Sequence, residues 1–463
     1  MIPAIDYKKP DNKFAYKAIG NRHVTFQSNN FSKNTKLLDK FIKSQENLST
    51  TRFIQGTLTN WFPKAILSRS VADFSEFTFL EFLESGIFYF AAPFFGEHAF
   101  RNGLFKAVQP KKLKDTVSKN VAKNLEEIKK ANIDENLKNR LVATKAGIIL
   151  GCITVPALEY ALGFAKNLFT LKVFKISDFN NVANLNKDKK EDISQQQKVE
   201  THSKSVLKKM GILSAVGISS GLLLSTKGYN SKTALKLSEI LLEPGENISK
   251  LLHKIGIKSE TTDKFLKEYL KLDFVNNDGK LSLSKGQLAV TCITGLFGYS
   301  SAAKDRGKLD FYEVLTRVPL VVLYTIFGSS ILDAGFKNIL AKKGKFPELI
   351  KRNKNGFIEQ IPTRKELPHI AEKLAKIHKT SKNFELEKLI RQKSVITGIP
   401  YLFSLVAMGF TLSAVSRIWT KYRYNHQIKS AQNTHDTISR SDFTPISPVF
   451  SGFKSTSNIK LPK

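Results

Sequence analysis

Cysteine is almost missing from this chain. Only Cys152 and Cys292 occur in 463 residues, both inside apolar stretches, so neither a disulfide framework nor a CxxC metal site can form. The eight histidines are scattered without ligand spacing, and no phosphate-cradling glycine loop or dinucleotide fingerprint is present. No metal, no cofactor and no catalytic residues are therefore expected. Negative charge is scarce as well, with 40 Asp and Glu against 73 Lys and Arg and a formal net charge of +33. Such a charge draws a protein toward something anionic. The usual signatures of nucleic-acid modules are lacking, so no nucleic acid is expected, and the anionic head groups of a lipid bilayer become the expected partner. The first fifty residues are polar, which gives no expectation of a cleavable secretory signal and leaves an internal segment to direct any membrane insertion.

What the sequence does contain is segregation. Hydrophobic residues make up 41% of the chain, yet they gather into uncharged runs separated by stretches with a lysine every three or four residues, a division that a bilayer imposes. Six apolar segments stand out: 77–100, 146–165, 210–226, 286–303, 318–332 and 394–416. The last is uncharged over a length that crosses a hydrocarbon core as a helix at about 1.5 Å per residue. The expected fold class is all-α: a polytopic helical membrane protein with four to six spanning or re-entrant helices plus basic amphipathic helices. Two stretches carry the amphipathic pattern, 111–145 through Leu113, Val117, Val121, Leu125 and Ile128, and 362–393 through Leu367, Ile370, Leu374 and Ile377. They support an alternative, a soluble or peripheral helical protein that binds an anionic membrane surface through those helices.

A shift of 232 positions aligns residues 68–96 with 300–328 without a gap. Ser68/Ser300, Asp73/Asp305, Phe79/Phe311, Glu81/Glu313, Leu83/Leu315, Phe95/Phe327, Gly96/Gly328 and Gly103/Gly335 coincide. The reading that follows divides the chain into a disordered polar arm (1–50), a first helical repeat half (51–170), a charged insert with one apolar helix (171–284, apolar at 210–226), a second repeat half (285–423) and a disordered tail (424–463). Tandem halves are a common plan for transporters, whose sites lie between the halves.

Carboxylates in or beside apolar segments are the candidate site residues, because a charge there is costly unless it serves a purpose. Glu97, Glu159 and Asp333 qualify, and Glu81 and Glu313 stand at the membrane entry of the two repeats with Arg69, Arg306 and Arg317 nearby. Acids at a helix start also simply complement the helix dipole. Candidate helix-contact glycines are Gly147, Gly151, Gly217, Gly221, Gly96 and Gly328. The run Gly217-Ile218-Ser219-Ser220-Gly221 matches a hydrolase elbow only in letters, since it sits in an apolar helix-length run. Residues 273–285 imitate a calcium loop but place Phe274 and Lys285 where ligands are required. The expectation is a non-enzymatic multi-pass membrane protein, scaffold or solute transporter, in a bacterial inner membrane to judge by its Lys, Asn and Ile bias.

Overall fold

The computed structural model describes residues 32–46, 50–186, 190–277, 279–353, 356 and 358–441. It is mostly helical. The principal helices are α1 (Lys33–Glu46), α2 (Thr50–Ile66), α3 (Val71–Phe90), α4 (Glu135–Gly151), α5 (Thr154–Phe174), α6 (Ile193–Lys227), α7 (Lys232–Leu242), α8 (Pro244–Lys254), α9 (Glu260–Tyr269), α10 (Lys285–Arg306), α11 (Lys308–Leu323), α12 (Ser329–Lys342), α13 (Leu367–His378), α14 (Lys382–Ser404) and α15 (Leu412–Ser441). A short antiparallel hairpin joins β1 (Val275–Asn277) to β2 (Lys280–Ser282) between α9 and α10.

Proline shapes the long helices. Pro156 has no N–H to give to Cys152, whose carbonyl instead accepts from Val155 in a tighter turn, and α4 and α5 therefore meet at a bend around Cys152 and Ile153. Pro319 and Pro400 each lie five residues before a wider π-helical stretch, Tyr324–Gly328 after α11 and Leu405–Thr411 after α14. The missing donor is absorbed there by rewinding rather than by ending the helix. A third π stretch, Ala91–Leu104, continues α3. With the 232-residue shift, Ala92 falls on Tyr324, so the π turns of α3 and α11 occupy corresponding places.

Four stretches are long and apolar enough to cross a membrane: Glu135–Phe174, Ile193–Asn230, Lys308–Lys342 and Lys382–Ser430. The expected segments 77–100 and 286–303 are helical but do not belong to these four. Glu81, Glu84 and Glu97 interrupt the former, and the latter, α10, is held against α5 by close glycine contacts: a Cβ on Gly298 would strike the backbone of Tyr160, and one on Gly295 would strike Glu159.

The two amphipathic stretches turn most of their apolar positions toward the protein's own core and leave the rest of their surfaces exposed. Residues 111–145 break into Lys114–Asn120, Leu125–Lys130 and α4, with a capping box at Asn124 and Glu127 starting the second piece and Asp134 capping the third. Val117, Val121, Leu125 and Ile128 pack with Phe100, Phe105, Leu141 and Ile148 in the largest apolar core. Residues 362–393 turn at Lys379, which sits at φ +54, and Leu367, Leu389 and Ile390 pack with Ile42 of α1, leaving Ile377 exposed. The protein's own apolar residues cover most of these positions. The same cluster corrects the expected arm: Lys33–Glu46 is helical because Ile42 and its neighbours have a core to join, while residues 1–31 lie outside the described residues. The expected tail is helical as far as Ser441, and 442–463 lie outside as well.

Candidate functional site: a charged cavity among the helices

Six helices bring charged side chains to one buried place. Ser70 caps α3 by accepting from the Asp73 N–H at 3.0 Å, which fixes Asp73 in the first turn. Arg69 just outside the helix donates to Asp73 at 3.2 Å and, through both terminal nitrogens, to Glu313 of α11 at 2.9 and 3.0 Å. This bidentate pair ties the two elements that the sequence alignment superposes. Arg306, 1% exposed at the end of α10, donates to Glu76 at 2.6 Å and to Asn167 at 3.3 Å, and lies 3.2 Å from Asp310. Lys166 of α5 stands 3.6 Å from Glu76 and 4.0 Å from Asp310. Thr170, one turn on, gives its hydroxyl proton to Glu76. Arg417 of α15 approaches Asp73 to 3.6 Å, and Lys64 of α2 pairs with Glu81.

Aromatic faces complete the lining. Phe179 receives Arg69 at 5.3 Å and Arg306 at 5.7 Å, and Phe77 receives Arg317 at 5.3 Å and Arg417 at 4.9 Å. A cavity of about 70 Å³ opens among these groups, with Lys64, Arg69, Glu84, Lys166 and Arg317 on its wall. Burial works against the charge on Arg69, but the Glu313 and Asp73 carboxylates outweigh it and hold the guanidinium proton above its ordinary range.

The predicted site residues divide. Glu81 and Glu313 both line the cavity. Glu159 lies two turns along α5 from Lys166, 1% exposed; the Tyr299 hydroxyl donates to one of its oxygens at 2.8 Å, and the other oxygen has no hydrogen-bond partner. Lys166, the cation nearest in sequence, turns to Glu76 and Asp310 instead. Glu97 belongs elsewhere: it pairs with Arg101 at 2.8 Å and accepts from the Leu281 N–H, while Arg101 also donates to the carbonyls of Ser118 and Gly279. The pair is an anchor for the β-hairpin, and Gly96 beside it leaves room for Phe274 at 3.2 Å. Asp333 pairs with Lys337 one turn away on α12, partly in contact with the exterior and away from the cavity. Asp305, the counterpart of Asp73, pairs with His202 at 2.6 Å rather than facing the cavity.

The glycines divide as well. Gly147 of α4 and Gly221 of α6 face each other so closely that a Cβ on either would strike the other's carbonyl, and Gly217 faces the Leu150 carbonyl. Gly151 is in ordinary contact with Phe100 and Phe105, and Gly328 touches only its own Tyr324. The stretch imitating a calcium loop holds the hairpin strands Val275–Asn277 and Lys280–Ser282, and the Gly279 N–H, at φ +80, donates to the Asn276 side chain. Asp273 is buried against Lys145 at 2.6 Å, and burial raises its carboxyl while Lys145 opposes the shift. Among the described residues, no three His, Cys, Asp or Glu side chains are placed to hold a metal ion.

The chain matches no protein-family model, no curated protein and no solved structure. Its chemistry must be argued from the cavity and from the surface around it. Sequence reading missed Glu76, Asp310, Asn167 and Arg417. No local pattern joins them: Arg306 ends α10 and Asp310 opens α11 across the break at Gly307 (φ +122), and Glu76, Asn167 and Arg417 arrive from three other helices.

Proposed function

We propose that the chain is a multi-pass membrane protein that carries a small polar solute or ion through the charged cavity, without catalysing a reaction. One observation supports the membrane reading above all: the long helices are inside-out. On α6 the inward positions are Gly217, Gly221 and Ser225, while Ile212, Leu213, Val216 and Leu223 are exposed. On α15 Ser413, Ser416, Arg417 and Thr420 are buried, and Val415, Ile418 and Trp419 are exposed. Only 17% of the apolar window is buried in Ile193–Asn230 and in Lys382–Ser430, and 22% in Lys308–Lys342, against 72% in the central Glu135–Phe174. Water does not favour that distribution, since burying a large aliphatic side chain gains about 1.5–3 kcal/mol; hydrocarbon outside the protein does.

The carrier part of the reading rests on the cavity's position. The hairpin of α2 and α3 and that of α10 and α11 both contribute to it, and the 232-residue alignment pairs α3 with the end of α10 and α11. Charges of both signs meet there in a protein otherwise dominated by lysine, as a site for a small ionic or zwitterionic solute needs. The packing of most apolar positions of 111–145 and 362–393 against the protein's own clusters supports this reading over the peripheral alternative.

The test is reconstitution of the full chain in liposomes with four probes: protons, potassium, chloride and glycine. At least one is expected to cross faster than in empty liposomes, and Glu84→Gln, which changes a cavity wall without breaking an ion pair of the network, is expected to alter that flux in a protein that still melts cooperatively. Absence of flux for all four probes in folded protein overturns the carrier reading and leaves a scaffold.

A further inference from the structure

The hairpin of α8 and α9 is assembled with its polar residues inside. Gly245 and Ser249 are the buried residues of α8, with Gly245 set against the backbone of Leu266 in α9. The Ser249 hydroxyl donates to Asp263, and His253 meets the same carboxylate at 2.8 Å. With that face closed by small and polar groups, the large apolar residues point out: Ile248, Leu251 and Ile255, at helical spacing, and Ile257 just beyond are all exposed, Leu251 by 60% and Ile255 by 65%. Exposed lysines at 250, 254 and 258 run beside them.

Two observations say what covers this face. The first is continuity. Phe265 of α9 stacks on Tyr269 at 4.9 Å, and Tyr269 lies 5.0 Å from Phe327, which is in the π turn of the apolar stretch Lys308–Lys342. The hairpin, whose α9 also exposes Phe265, is therefore seated directly beside a helix read as spanning. The second is charge. Lysines flanking an apolar helix face, with a tyrosine at the junction, are the arrangement that lies at a head-group boundary.

We infer that α8 and α9 form an interfacial foot, with Ile248, Leu251, Ile255 and Ile257 immersed at the acyl boundary of an anionic phospholipid leaflet and Lys250, Lys254 and Lys258 on its phosphates. The inference rests on the membrane reading above. It adds a surface that the sequence pattern did not single out, and it makes anionic lipid a partner of a particular element rather than of the net charge.

The experiment uses the full chain with Trp61 and Trp419 replaced by Phe, carrying Leu251→Trp, in vesicles of equimolar phosphatidylglycerol and phosphatidylcholine whose acyl chains are brominated near the head group. Leu402→Trp, on the outward face of α14, is the control within a span. The expected result is blue-shifted, bromine-quenched emission from both variants, with the quenching of Leu251→Trp weakened when phosphatidylglycerol is omitted or when Lys250, Lys254 and Lys258 are changed to Glu. Water-like, unquenched emission from Leu251→Trp beside a quenched Leu402→Trp overturns the foot and leaves the spans intact. Emission unquenched in both overturns the membrane reading with it. Quenching of Leu251→Trp that ignores lipid charge overturns the anionic part of the inference.

Discussion

Val216→Asp separates a bilayer from water on a single helix face. Val216 is 55% exposed and lies near the middle of the apolar part of α6, on the side opposite Gly217 and Gly221. In water an exposed Val→Asp change at such a place shifts stability by no more than about 0.5 kcal/mol. In hydrocarbon, Val near a helix centre contributes about −0.3 kcal/mol to insertion and Asp costs about 2.5–3.5 kcal/mol, a swing of about 3 kcal/mol that corresponds to a roughly hundredfold change in an equilibrium. The side chain has no cation across a helix interface to rescue it, because its neighbours on that face are Ile212, Leu213 and Leu223. The assay is the fraction of full-length chain protected and membrane-integrated after expression, with Gln197→Asp as the control on the same helix. Gln197 is exposed and precedes the apolar run, so its substitution is expected to change nothing. Equal integration of Val216→Asp and Gln197→Asp refutes the reasoning, because it places both positions in the same solvent.

Three further predictions test the interior. Gly221→Val forces a side chain onto the Gly147 carbonyl and is expected to lower stability by about 1–3 kcal/mol in detergent melting, whereas Gly211→Ala on the same helix, with nothing within 4 Å of its Cβ, is expected to be neutral or stabilising by up to about 1 kcal/mol; equal effects would mean that the crossing is not close. Arg306→Gln leaves Glu76 and Asp310 without their guanidinium and is expected to cost about 3–5 kcal/mol as the breaking of a buried pair, with part recovered in Arg306→Gln/Glu76→Gln; a double variant no better than the single one would show that the pair is not the source of the loss. In the α8 and α9 hairpin, the Ser249 hydroxyl holds the Asp263 carboxyl below the usual carboxylate range, against the pull of partial burial and with His253 adding to it. The stability that this contributes is present above the unfolded-state value of about 3.9 and is lost as pH falls through the lower folded value, so amide exchange across Pro244–Lys254 is expected to rise in strong acid and to lose that dependence in Asp263→Asn. Exchange that responds to pH identically in both proteins would contradict it.

The apolar stretches were legible because hydropathy over about twenty residues is a strong signal: 146–165, 210–226, 318–332 and 394–416 each fall within one of the four long apolar helical stretches. The direction their faces point was not legible in the letters of α6 alone, since Gly217 and Val216 are both tolerated in lipid and only packing against α4 says which is inside. Residues 77–100 looked apolar through their many phenylalanines, yet Glu76, Glu81 and Glu84 on the same helix turn toward the cavity. The periodicity at Val117, Val121 and Leu125 marked an apolar face correctly and carried no information about what covers it, which is Phe100 and Leu141 from other helices. Lys145 with Asp273, Arg306 with Glu76 and Glu97 with Leu281 join residues more than a hundred positions apart, and no local pattern encodes such partners. Glu159 was visible as an acid in an apolar run, but its tyrosine partner arrives from α10.

The central claim is that hydrocarbon, not water, faces the exposed aliphatic residues of α6, α11, α14 and α15. Alkaline carbonate extraction of membranes from cells expressing the full chain tests it most directly. The account predicts that the protein stays with the membrane pellet after high-speed centrifugation, held there by Ile193–Asn230, Lys308–Lys342 and Lys382–Ser430, which are long and apolar enough to span. Recovery of the folded chain in the supernatant would contradict it.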